Sequence, residues 1–253
     1  MKKKGLLILA FGALALAALG LFVGKLLFSG PTLRPNPYGP GDFALRDGRM
    51  VCLKGEARAA IDVSVHQGEI DWQAVKESGV EAVMIRAGYR GYQTGLLHPD
   101  DRAEENYRGA KAAGLKVGAY FFSQAVTVEE AKEEAEFFLN LIRDWELDLW
   151  AAYDWETMGE NARTYGMEKK TLTACTRAFL DTVALEELRP MVYFNVYQGD
   201  ALLELEELAG YDFWLAMYRE EMDYPYRLAM WQYSSQGEVP GIPGRVDLNL
   251  LFP

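Results

Sequence analysis

From Ala59 to the end of the chain, short apolar runs alternate with longer stretches whose apolar residues recur every three or four positions. The runs predict strands at Ala59–Val63, Ala82–Ala87, Lys116–Phe121, Leu149–Tyr153, Met191–Phe194, Phe213–Met217, Leu228–Tyr233 and Val246–Leu250. Helices are expected between the first five and after the fifth. Asp71–Ser78 stops at Gly79, and Asp101–Ala113 stops at Gly114. Thr127-Val-Glu-Glu130 reads as a capping box opening a helix to about Arg143. Met167–Leu188 is amphipathic and ends before Pro190, and Asp200–Ala209 ends at Gly210. Apolar strands alternating with helices imply a parallel sheet covered by helices. Eight strands in this length fit an α/β fold, a modified TIM-like β/α barrel. The last three strands leave little room for helices, so the C-terminal half is expected to be irregular.

The N-terminus follows a different pattern. Lys2, Lys3 and Lys4 precede the uncharged run Gly5 to Gly24, and Lys25 follows it. Twenty residues of helix span about 30 Å, the hydrocarbon thickness of a bilayer. Residues 1–28 are therefore read as a transmembrane signal-anchor, with its lysines inside and the remaining chain extracytoplasmic. The other reading is a long cleaved signal peptide and a secreted protein, although the Ala-x-Ala patterns lie inside the apolar run. Residues 29–58 carry Pro31, Pro35, Pro37 and Pro40 and read as a stiff exposed stalk up to Gly41. Asp47-Gly48 between two apolar runs signals a hairpin, and an irregular extension fits the same residues. Residues 59–253 form the remaining domain.

Composition narrows the function classes. Half the chain is apolar and a quarter charged, which fits an ordered domain with a large core. The whole chain carries −11, and the four lysines of the N-terminal segment leave −15 on the rest. An acidic body excludes a nucleic-acid partner, which requires a basic footprint. Cys52 and Cys175 are too few for a disulfide framework; they either pair or remain buried thiols. The two histidines, His66 and His98, form no zinc-ligand spacing. No cofactor or metal is expected, and the chain is expected to act as a monomer.

Candidate chemistry sits where the strands end. In a β/α barrel the active site gathers at the C-terminal ends of the strands. The first run delivers Asp62, Ser64 and His66 there; the second gives Arg86 and Tyr89, and the third Tyr120, Phe122 and Gln124. Asp154 and Glu156 close the fourth, Tyr193 and Asn195 the fifth, Trp214 and Tyr218 the sixth. Trp231-Gln232-Tyr233 and then Asp247 and Asn249 complete the set. Asp154 and Glu156, two apart on a strand, face one side with roughly 6–7 Å between Cα atoms. Glycoside hydrolysis uses such a carboxylate pair, one protonated and the other stabilising the sugar cation. Trp155 and nearby rings would raise one carboxyl pKa by limiting solvation. A D-x-E sequence is also what a capping Asp beside an exposed Glu looks like. Asp62 and Asp247 read equally as strand-end structure, and the rings as core or as sugar-stacking platforms.

Taken in order, Ile61-Asp-Val-Ser-Val-His-Gln-Gly68, Ile70-Asp-Trp72, Met84-Ile-Arg-Ala-Gly-Tyr89, Gly118-Ala-Tyr-Phe121 and Tyr153-Asp-Trp-Glu156 resemble glycoside hydrolase family 25. Tyr193-Phe-Asn195, Trp214-Leu-Ala216, Trp231-Gln-Tyr233 and Val246-Asp-Leu-Asn249 continue the resemblance to the end of the chain. These are the N-acetylmuramidases, or lysozymes, of bacteria and their phages. The resemblance implies a modified β/α barrel that cleaves the β-1,4 bond between N-acetylmuramic acid and N-acetylglucosamine in peptidoglycan. It implies catalytic positions at Glu156, the acid/base, at its partner Asp154, and at Asp62 and Asp247. Tyr89, Tyr120, Tyr193, Asn195, Trp214, Tyr218, Trp231 and Gln232 are the expected substrate-binding residues. Asp154 would act as a covalent nucleophile or orient the substrate's N-acetyl oxygen. The competing function is an anchored wall-glycan binding module with little catalysis.

Overall fold

Along the barrel strands of the domain, successive side chains alternate between two buried environments. The computed structural model describes residues 30–253. Strands β1 (Phe43–Arg46) and β2 (Arg49–Cys52) form a separate hairpin. Then come β3 (Arg58–Val63), α1 (Trp72–Glu77), β4 (Ala82–Arg90), β5 (Leu97–Pro99), α2 (Ala103–Ala112) and β6 (Lys116–Ser123). They are followed by α3 (Val128–Leu141), β7 (Trp150–Trp155), α4 (Lys169–Ala184), β8 (Arg189–Asn195), β9 (Asp212–Ala216), β10 (Met230–Gly237) and β11 (Val246–Leu251). Strands β3, β4, β6, β7, β8, β9, β10 and β11 pair in a closed ring, because β3 meets both β4 and β11. All eight strands expected from the pattern are present. β11 runs antiparallel to both neighbours, so the barrel departs from an all-parallel one.

Inward positions form one cluster and outward positions another. Ala60, Met84, Tyr120, Ala152, Met191, Trp214 and Met230 fill the barrel interior. Ile61, Val83, Phe121, Tyr153, Val192, Leu215 and Trp231 pack outward. Period-two alternation with both faces dry is the signature of such a strand. Gly118 shows how tightly the interior is filled, since a Cβ there would collide with the Met84 sulfur and the Trp150 carbonyl.

Local signals set the helix ends. Asp71 caps α1 by accepting from the Gln73 and Ala74 amides, a cap worth about 1 kcal/mol. Thr127 caps α3 by accepting from the Glu130 amide. The expected return contact is displaced by one residue: the Glu130 carboxylate takes the Val126 N–H at 2.8 Å. Helices α2 and α3 cover β4 and β6, while α4 covers β7 and β8.

After β8 the expected helix over 200–209 is absent. A π-turn (Gln198–Leu202) and a 3-10 turn (Leu205–Leu208) replace it, and the connections between the last three strands hold no α-helix. The N-terminal hairpin covers part of this helix-poor side. Asp47 and Gly48 both have positive φ, as a tight two-residue hairpin turn requires. Phe43 meets Trp231 edge-on at 5.1 Å, and Tyr38 stacks on Phe252 at 4.9 Å.

The expected exposed stalk is therefore corrected from Leu33 onward. Pro35 bridges Tyr226, and the Asn36 amide groups donate to the Pro225 and Tyr224 carbonyls at 2.9 Å. Proline fixes an extended backbone, and here that backbone lies along the barrel. Among the described residues no helix is long and apolar enough to cross a membrane. The expected transmembrane segment lies outside the described residues.

Candidate active site

Because inward side chains alternate, each strand end presents one set of residues to a common cavity of about 590 Å³ at the barrel mouth. Asp62 from β3, Asp154 from β7, Glu156 just beyond β7 and Asp247 from β11 all line it. Among the expected binding residues, Tyr89, Tyr120, Tyr193, Trp214, Tyr218 and Gln232 line it as well.

Trp231 and Asn195 do not. Trp231 is fully buried on the outer side of β10, and its indole donates to the Met217 carbonyl at 2.8 Å. Its neighbours Met230 and Gln232 take the inward positions, so alternation forces Trp231 out. Tyr233 and Trp155 fall on the outer side for the same reason. Asn195 spends its side chain on the turn that follows, accepting from the Gln198 amide at 2.9 Å.

The cavity floor is a hydrogen-bonded network centred on Asp62. One Asp62 oxygen accepts from Gln232 Nε2 at 2.9 Å and from Asn249 Nδ2 at 2.7 Å. Asn249 Oδ1 accepts from the Trp214 indole at 2.8 Å, which orients its amide nitrogen toward Asp62. The Tyr193 and Tyr218 hydroxyls both donate to Gln232 Oε1, at 3.0 and 2.8 Å. Asp62 and Asp247 are register partners across β3 and β11, and each shifts the other's carboxyl.

Burial and the Asp247 charge push the Asp62 carboxyl well above its ordinary range. Burial raises Asp247 to about 6, opposed by the Asp62 side chain. Burial, then the charges of Glu156 and Asp62, raise Asp154 well above its ordinary value. Glu156 is raised by burial and by Asp247. Arg86 pulls the other way on Asp154, but Asp100 already holds it through a 2.8 Å ion pair. Burial and mutual repulsion thus disfavour the ionised form of all four carboxyls, and the one cation beside them is already engaged. One oxygen of Asp154 is buried without any donor from the protein.

The cavity also includes Tyr92, Asp101 and Met158, which sequence reasoning missed. These residues sit beyond the strand ends, where no periodicity marks a side chain as facing the site. His66, Ser64 and Gln67 line the wall as part of the turn after β3.

A closed β/α barrel whose mouth gathers four carboxyls of raised pKa among aromatic rings holds the groups that acid-assisted cleavage of a glycosidic bond uses. The family model for glycosyl hydrolases family 25 matches residues 61–242, and the chain belongs to that family. The chain is similar to an autolytic lysozyme of Clostridium acetobutylicum, at 34% identity over 75% of this chain and 54% of that protein. Lysozyme M1 of Streptomyces globisporus is 28% identical over 75% of this chain and 66% of that protein. The crystal structure of a bacterial lysozyme from Streptomyces coelicolor superposes with a TM-score of 0.61 at 25% identity, covering 79% of this chain and 94% of that one. The chain thus spans between half and two thirds of the two sequence relatives.

Proposed function

We propose that the chain hydrolyses the β-1,4 bond between N-acetylmuramic acid and N-acetylglucosamine in bacterial peptidoglycan. The observation that carries the reading is the gathering of Asp62, Asp154, Glu156 and Asp247 in one aromatic-walled cavity at the barrel mouth. Membership of family 25 and the lysozyme relatives support the substrate.

Glu156 serves as general acid and protonates the leaving glycosidic oxygen. Its raised pKa keeps the proton available at higher pH than an ordinary glutamate would. Asp154 lines the cavity and stabilises the oxocarbenium-like state, and one of its oxygens is buried with no protein donor to compete for its charge. Asp62 and Asp247 share a proton, tune Glu156 and help hold the sugar. Tyr89, Tyr120, Tyr193, Trp214 and Tyr218 supply faces and hydroxyls for the glycan, without a basic surface to attract it.

The lysine-flanked apolar segment supports a membrane anchor at 1–28, and residues 29–58 then join it to a catalytic barrel at 59–253. Tethering would restrict cleavage to wall near the cell's own membrane; a cleaved segment would give a secreted enzyme. Purified peptidoglycan incubated with the protein tests the activity. New reducing ends on muramic acid are expected. Glycan binding without new ends would identify a wall-binding module instead.

A further inference from the structure

Glu156 stands where the sheet stops. The β6–β7 ladder ends at Ser123–Trp155, and the β7–β8 ladder ends at Asp154–Tyr193. In a strand, successive carbonyls point to opposite neighbours. The carbonyls of Trp155 and Glu156 should therefore be the first to lose ladder partners. Two buried glutamines take them. Gln198 Nε2 donates to the Trp155 carbonyl at 2.7 Å, from the β8 side. Gln124 Nε2 donates to the Glu156 carbonyl at 3.0 Å, from the β6 side.

Both amides are oriented by their other atom. Gln198 Oε1 accepts from the Asn195 backbone N–H at 2.7 Å, and a backbone N–H can only donate. Gln124 Oε1 accepts from the Thr164 hydroxyl at 2.8 Å. The main chain of Gln124 is held as well: its N–H donates to buried Glu134, and its carbonyl accepts from Arg163. Glu134 is itself paired with Arg90 at 2.7 Å, and Arg163 with Glu130. Neither glutamine lines the cavity. A buried amide whose oxygen and nitrogen are both engaged is held in place, since displacement leaves a polar atom unpaired.

We infer that Gln124 and Gln198 are positioning residues for Glu156, extending the sheet past its end and holding the backbone that aims this carboxyl into the cavity. The inference rests on Glu156 being the reacting acid. It also gives Asn195 a role, as the residue that sets the Gln198 turn.

The test uses Gln124→Met and Gln198→Met in the full chain, beside wild type and Glu156→Gln, on purified peptidoglycan. Methionine keeps length and volume but cannot donate. Misaiming the acid should lower kcat roughly tenfold to a hundredfold and leave KM within about twofold. Unchanged kcat per folded molecule, with only a lower melting temperature, would mean an ordinary structural role and overturn the inference. Gln124→Glu supplies a second test that does not depend on the methionine variants folding. Its protonated carboxyl can donate to the Glu156 carbonyl, so activity should recover at acid pH and fall as that group ionises. A Glu variant whose pH profile follows wild type would also count against the clamp.

A readout free of activity is the titration of the Glu156 carboxyl by carbon-13 NMR. Glu156 faces Asp154, Asp247, Asp62, Tyr193 and Tyr218, so a moved carboxyl should titrate at a different pH. An unmoved titration in folded variants refutes the clamp. Wild type that releases no reducing ends refutes the functional reading instead, and the titration still decides the clamp.

Discussion

Replacing Asp247 by Asn should make the folded protein more stable at neutral pH and change it little in acid. Burial raises the Asp247 carboxyl from 3.8 to about 6 in the folded protein. A folded state that holds a proton more tightly than the unfolded chain loses stability as pH rises between the two values. The cost is absent below the unfolded value, grows through that window and is complete above the folded one. A shift of about two pH units corresponds to about 3 kcal/mol. Asn has the same shape, cannot ionise, and can donate its amide to Asp62 in place of the shared proton. Asp247→Asn should therefore gain up to about 3 kcal/mol near pH 7.5 and only roughly half a kcal/mol near pH 4. In melting temperature the neutral-pH gain is roughly 6–12 °C for a domain of this size. Urea unfolding of both proteins across that pH range gives the difference directly. A difference that stays flat with pH, or a variant less stable than wild type at neutral pH, would refute the proton-sharing account.

Glu156→Gln should lower the hydrolysis rate by roughly 10²–10⁴-fold with an unchanged circular dichroism spectrum, read as reducing ends released from peptidoglycan. Asp154→Asn should fall by orders of magnitude as well. The wild-type rate should decline as pH rises through the raised Glu156 pKa, because the acid form is consumed; a decline set at the ordinary glutamate value would contradict burial of this group. Trp231→Ala should cost roughly 3–5 kcal/mol of stability through the cavity it leaves between β10 and the hairpin, while KM of the folded fraction stays at the wild-type value. Gly118→Ala should destabilise by roughly 1–3 kcal/mol, since the added methyl meets Met84 and the Trp150 carbonyl inside the barrel; a melting temperature equal to wild type would show that the interior has room.

Much of this molecule was legible as local pattern. Apolar runs of strand length, glycine stops after α1 and α2, and the Asp47-Gly48 turn depend on residues adjacent in sequence. The spacing of Asp154 and Glu156 likewise fixes a shared face before any partner is known. Reading the strand ends as a set therefore brought four acids and six of the eight expected binding residues to one cavity.

What the pattern could not decide was which face of each strand points inward, because both faces of these barrel strands are buried and apolar. Trp231 and Gln232 are neighbours in sequence, and closure of the barrel sends one to the hairpin and the other to Asp62. Asn195 shows the same limit for hydrogen bonds: a polar residue at a strand end looks like a ligand contact until Gln198 folds back onto it. The antiparallel β11, the docking of residues after Leu33 and the glutamine amides beside Glu156 all join positions far apart in the chain. Sequence alone determined the strands and the acids they carry. Closure of the sheet decided which side chains share a cavity, because only closure sets which distant groups must satisfy one another.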